Sequence, residues 1–219
     1  MSYVFDPDGS DHVYTKLLYE SMESENKSHV ELARFGLRAS NDEMFRSVCV
    51  EYLADIGFLS EKDLLIALAD PDEVVRAEAV TASVDIDSLE IRKQLTSMIE
   101  SEEDDFYIAW IIATLGLKEH EAFEIVYRTK SEWLSSEIVQ CSVTFYCAYM
   151  KQEEYEILRF FQYINSDSHL VRGMVGNLSD CFAGTAFSNK IEAILASRLV
   201  KEDWASVKEL LEQKIAVLQ

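Results

Sequence analysis

The chain has 219 residues and is 48% hydrophobic, with 11 Phe, 10 Tyr and 3 Trp; it can bury a substantial core, which excludes disorder for most of its length. Its 7 Gly and 2 Pro are too few for an all-β sandwich, which needs frequent turn residues, so helices joined by short polar turns are expected. With 40 acids against 20 bases the net charge is −20, a surface that repels nucleic-acid phosphate and anionic lipid and favours encounter with basic partners.

At the N-terminus, Met1-Ser2-Tyr3-Val4-Phe5-Asp6-Pro7-Asp8 has neither the basic region nor the apolar run of a signal peptide. No apolar stretch approaches the ~20 residues that cross a bilayer. Cys49, Cys141, Cys147 and Cys181 sit in apolar helical patterns without CxxC spacing, as free thiols in a reducing compartment do. A cytoplasmic protein that touches no membrane is the expectation.

In chain order, the apolar periodicity predicts a leading helix over 10–23, then five helix pairs. The first helices cover 28–39, 61–69, 88–100, 119–129 and 152–164, and the second helices 43–56, 72–84, 104–115, 134–149 and 168–182. A final pair, 188–200 and 202–217, is expected to cap the array. No long linker interrupts the chain, so 1–219 reads as a single domain.

The pairs repeat. The clearest unit is Leu64-Leu65-Ile66-Ala67-Leu68-Ala69-Asp70-Pro71-Asp72-Glu73-Val74-Val75-Arg76-Ala77, and its shape recurs around Arg46 and Arg172. With weaker copies at Tyr107 and Val139, the anchors 46, 76, 107, 139 and 172 are 30 to 33 residues apart. An apolar residue precedes each: Phe45, Val75, Phe106, Ile138 and Val171. Gly57, Gly116 and Gly184 follow second helices, where a C-terminus takes a positive φ. Pro71 is expected just inside a helix start, and Asp42 and Asp72 to pair with Arg46 and Arg76 four residues on.

An Asp-Pro turn followed by Val-Arg and a small apolar residue resembles the short HEAT-like repeat. That resemblance implies an all-α fold, an α-solenoid of about six HEAT-like helix pairs whose apolar faces are covered by stacking.

Enzymes of that fold set a standard for chemistry. Deoxyhypusine hydroxylase holds iron through several His-Glu pairs; this chain has one, His120-Glu121, so no metal is expected. HEAT-like DNA glycosylases use a basic concave face. Here that face (anchor +1, +4 and +5) carries no Lys or Arg and includes Ile108, Ile111, Ile112, Gly173, Gly176 and Asn177. Phycobilin lyases also carry such repeats, and the three isoleucines would suit an apolar cofactor, but an Ile stripe is ordinary helix packing and no cofactor is expected.

The acids concentrate. Residues 61–120 hold 15 acids and 5 bases, half of the net charge, while residues 181–219 hold 5 of each. The run Glu102-Glu103-Asp104-Asp105 exceeds what a helix dipole accounts for. With Asp70, Asp72 and Glu73 of the neighbouring repeat it is expected to form an acidic rim. Tyr107, in place of the anchor arginine, and Trp110 beside it are candidate aromatic anchors, whereas Phe106 is expected in the core. The expectation is a non-enzymatic interaction protein, in first place an acidic inhibitor of the immunity type that neutralises a basic partner such as a nuclease toxin. A scaffold holding a peptide along its groove is the alternative, with a bilin-lyase-like enzyme behind it.

Overall fold

The structure, a computed structural model, describes residues 12–118 and 134–218, and every regular element among them is helical. The expected helix over 119–129 and the pair His120-Glu121 lie outside the described residues. Twelve α-helices are seen: α1 (His12–Glu23), α2 (Val30–Ala39), α3 (Glu43–Asp55), α4 (Glu61–Leu68), α5 (Glu73–Ala82), α6 (Leu89–Ser101), α7 (Asp105–Leu117), α8 (Glu137–Lys151), α9 (Glu154–Phe161), α10 (His169–Leu178), α11 (Ser188–Leu199) and α12 (Ala205–Leu218). Short 3₁₀ turns extend α5, α9 and α10. None of the described helices is long and apolar enough to cross a membrane.

Two compact units divide the chain, Met1–Met98 and Ile99–Gln219, the boundary falling inside α6. In unit 1, α3 packs on α1, α2 and α5, and α4 on α2 and α5. Its core is Leu32, Phe45, Tyr52, Leu53, Leu64 and Val75, with the Tyr52 hydroxyl donating to Asn26 O at 2.6 Å. In unit 2, α8 packs on α7, α9 and α10, and α12 on α10 and α11. There Phe145, Phe160, Phe161 and Phe182 form a fully buried cluster with ring centroids 4.9 to 6.1 Å apart, the edge-to-face spacing that aromatic pairs favour.

Helix starts set the repeat register better than the arginines do. The residues preceding α3, α5, α7, α8 and α10 are Asp42, Asp72, Asp104, Ser136 and Ser168, separated by 30, 32, 32 and 32 residues. Four of them accept a backbone N–H from the first turn, as N-caps do. The fourth residue of each helix is then Arg46, Arg76, Ile108, Gln140 or Arg172. Each polar member of this set donates to the carbonyl six residues behind it: Arg46 to Ser40 O at 3.1 Å, Arg76 to Asp70 O at 3.1 Å, Gln140 to Leu134 O at 2.7 Å and Arg172 to Ser166 O at 2.9 Å. The weaker sequence copies were therefore placed one residue early. The arginine position of α7 belongs to fully buried Ile108, and Tyr107 stands where the others have Phe45, Val75, Val139 and Val171.

Other local expectations change too. Asp42 and Asp72 cap their helices, and Arg46 forks instead onto Asp70, at 2.8 and 2.9 Å. The same bidentate fork joins Arg172 to Glu202 at 2.7 Å twice, and Arg34 reaches Asp63 at 3.2 Å. Hydroxyls add ties between successive helix pairs: Ser88 to Glu61, Ser136 to Asp105 and Ser166 to Glu137. Pro71 lies in the turn before cap Asp72, outside the helix. Gly57 and Gly184 do take positive φ, +70° and +73°. Gly116 does not: α7 runs through it, and an added Cβ would meet the Tyr146 ring at 2.9 Å, so that glycine permits close helix approach.

Candidate functional site

Most of the acids in the two runs already serve the fold. In unit 1, Asp70 is buried under the Arg46 fork and also accepts Asp72 N–H at 2.9 Å, while Asp72 caps α5 through Val74 N–H. Glu73 is exposed in the first turn of α5. In unit 2, Glu102 accepts the backbone N–H groups of Glu103 and Asp104, Asp104 accepts those of Phe106 at 2.8 Å and Tyr107 at 3.3 Å, and half-buried Asp105 accepts the Ser136 hydroxyl at 2.5 Å. Glu103 and Asp104 remain exposed.

Directly beyond that turn, α7 presents aromatics at its surface. Phe106, expected in the core, is half-buried, edge-on to Tyr107 at 6.0 Å and to Trp110 at 6.3 Å. Phe106 and Trp110 form one wall of a cavity of about 350 Å³ within unit 2. Its floor is α10, through His169, Leu170, Gly173, Met174 and Asn177, and its far wall is α12, through Ser206, Val207 and Leu210. The lining is mostly apolar, as binding clefts are. At its edge the His169 imidazole stacks on Trp204, centroids 3.9 Å apart and planes 15° apart, and Leu170 and Trp204 are 46% and 48% exposed.

The register explains this lining. The second and sixth residues of the three helices are Phe106 and Trp110, Leu170 and Met174, Ser206 and Leu210, four apart and so on one helix face. The corresponding pair of α8 is Ile138 and Ser142, both buried, with the Ser142 hydroxyl donating to Met174 Sδ at 3.1 Å. Gly176 lets α12 approach, since a Cβ there would meet Leu210 at 2.9 Å. At Gly173 a Cβ would meet only Val207, at 4.0 Å. Ile108, Ile111 and Ile112, read from sequence as groove lining, are fully buried beneath that face.

In unit 1 the same helix positions are occupied differently. Met44 and Val48 are second and sixth in α3, Val74 and Glu78 in α5. Burial, then the charge of Glu51, pushes the Glu78 carboxyl up to about 7. Glu51 is itself raised, first by burial and then by Asp55, with Tyr19 on α1 acting in the opposite sense. Among the described residues no group of three or more His, Cys, Asp or Glu side chains is placed to hold a metal ion. The four cysteines are free, and burial first of all raises the thiols of Cys141, Cys147 and Cys181, the last to about 11, which leaves them poor nucleophiles.

What sequence reasoning missed is the α12 wall and the His169–Trp204 stack. These unite residues 35 apart that no local pattern links, though the stripe Trp204, Val207 and Leu211 on the last helix was visible. No family model matches the chain, and no curated protein matches it.

Proposed function

We propose that this chain is a HEAT-like repeat protein, a solenoid of about six helix pairs, that acts without catalysis by binding a basic protein partner in the cytoplasm. Support for the repeat assignment comes from the evenly spaced caps and from the bond that each polar fourth residue sends to its own turn. The observation that carries the binding reading is the half-exposed pair Phe106 and Trp110 set directly beyond the acidic turn 102–105. Charge beside aromatic surface is the composition of a recognition site, the charge raising the encounter rate and the rings slowing dissociation.

Two forms of this reading draw on different observations. The inhibitor form, an immunity-type protein that covers a cationic partner such as a nuclease toxin, draws on the net charge of −20. The adaptor form, in which a partner segment lies along a groove, draws on the cavity between α7, α10 and α12.

The test begins with affinity capture from the source cells, followed by surface plasmon resonance against the recovered protein. Exposed Glu103 and Asp167 are reversed to Lys; Asp104 is left in place because losing its cap costs ~1 kcal/mol. The reading expects association to slow several-fold at low salt with the melting temperature preserved. An unchanged association rate contradicts it.

A further inference from the structure

We infer that the groove between α7, α10 and α12 docks a basic amphipathic segment of a protein, taking a bulky apolar side chain against Trp110, Met174 and Leu210. The inference rests on the binding reading above and adds the place and the chemistry of the occupant. The cavity is about 350 Å³ and mostly apolar, with Leu170 and Trp204 standing half-exposed at its edge. An apolar side chain that leaves water for such a lining gains roughly 1.5–3 kcal/mol, and aromatic walls are where binding energy concentrates.

The charge around the groove decides which apolar segment fits. Each lining helix starts from an acidic turn: Glu103 and Asp104 before α7, Asp167 before α10, Asp203 before α12, all exposed. Asp203 stands 89% exposed, 3.6 Å from the buried Arg172 whose guanidinium is already forked onto Glu202. The exposed cations nearest in sequence to these acids are Lys201 and Lys208. The lining comes from the first turns of the same helices, at their second and sixth residues, so acids and apolar surface lie side by side at one end of the helices. A segment with apolar residues on one side and Lys or Arg on the other satisfies both at once. An anionic segment, a lipid headgroup or a nucleic acid meets repulsion there.

Gly173 supplies the decisive variant. Its Cβ position is open, with Val207 at 4.0 Å, so Gly173→Leu starts from an unobstructed Cβ on the groove floor, and Gly173→Ala is the folding control. The probe is a peptide of about fourteen residues in which Leu and Lys repeat with the helical period. Two comparison peptides replace Lys by Glu, or scramble the same residues so that no apolar face forms. Binding to the full chain is read by calorimetry at about 50 and 300 mM salt, either side of effective screening.

The Leu/Lys peptide is expected to bind the native chain, to weaken with salt, and to weaken roughly tenfold in Gly173→Leu. The Leu/Glu peptide is expected not to bind. Should Gly173→Leu lose its helical circular dichroism, Trp110→Ala takes its place with the same expectation. Unchanged affinity in a folded groove variant, or equal binding of the scrambled peptide, overturns the docking inference and leaves charge-driven binding standing. Binding of the Leu/Glu peptide, or no binding of the Leu/Lys peptide at low salt, overturns both.

Discussion

The two units place different chemistry at the same helix positions. In unit 2 the second and sixth residues of α7, α10 and α12 form the aromatic and aliphatic walls of a groove. In unit 1 the sixth residue of α5 is Glu78, crowded against Glu51 and Tyr19. A repeated backbone frame, held by similar caps and similar arginine forks, thus leaves one face free to diverge. The face in unit 2 suits an apolar ligand with positive charge beside it; the face in unit 1 holds a carboxyl that neutral solution ionises only about halfway. Packing residues maintain the frame, and the second and sixth positions carry the difference.

Cutting the arginine forks is the strongest way to break this comparison. The Arg172 and Glu202 side chains are 5% and 0% exposed, so Arg172→Met leaves the buried carboxylate to Arg198 and the Trp204 N–H alone and is expected to cost ~3 kcal/mol. Arg46 and Asp70 are 12% and 6% exposed, and Arg46→Met should cost less, about 1–3 kcal/mol. Urea unfolding of both variants checks the order. Equal small losses would show that the forks do not hold the frame.

Glycines sharpen the comparison at a middle scale. A Cβ on Gly36 in unit 1 would sit 2.7 Å from both Cys49 Sγ and a Phe45 ring carbon, in a fully buried place, so Gly36→Ala should cost ~1–3 kcal/mol. Gly173→Ala in the groove of unit 2 meets open space and gains helix propensity, an expected gain of up to ~1 kcal/mol. Thermal unfolding should therefore move in opposite directions for the two variants. A loss at Gly173 would mean that its floor position is already filled.

Dependence on pH probes the same difference between the units through charge. Glu78 holds its proton to about pH 7 in the fold, against an ordinary 4.5, so the unfolded chain releases a proton that the folded chain keeps. Stability should therefore fall as pH rises from 4.5 through 7. Glu51 adds to the rise of Glu78 that burial begins, Asp55 adds likewise to that of Glu51, and Tyr19 acts on Glu51 in the opposite sense. Glu78→Gln should flatten the slope, as read by the urea midpoint at several pH values. Glu202 works with the opposite sign. Hydrogen bonds, led by that from Arg172, hold it near 2, so its contribution is full above pH 4.5 and disappears as pH falls towards 2. A wild-type slope that survives in Glu78→Gln would remove Glu78 as its source.

Much of the helix order was legible in the sequence because apolar periodicity is local, although Asp42 and Asp72 read in sequence as arginine partners rather than as caps. Asp42, Asp72 and Ser168 stand before their helices as their side chains require, and the expected helix ends agree with the structure within a few residues. The register slipped in α7 because Asp105–Leu117 is apolar on nearly every side, from Phe106 through Ile112, and a helix without a polar face has no phase to read. Gly116 misled for a related reason: the same residue type serves a positive φ and a close approach, and only the neighbouring Tyr146 distinguishes them. Acids were legible as charge but not by role, since whether Asp70 lies on a rim or under a guanidinium depends on an arginine 24 residues away.

The claim that the binding face belongs to unit 2 is tested most directly by nuclear magnetic resonance during titration with the Leu/Lys peptide. The account predicts that the indole N–H signals of Trp110 and Trp204 shift first and saturate together, while the amides of Glu51 and Glu78 hold their positions. Shifts confined to Glu51 and Glu78, with both indoles unmoved, would contradict it.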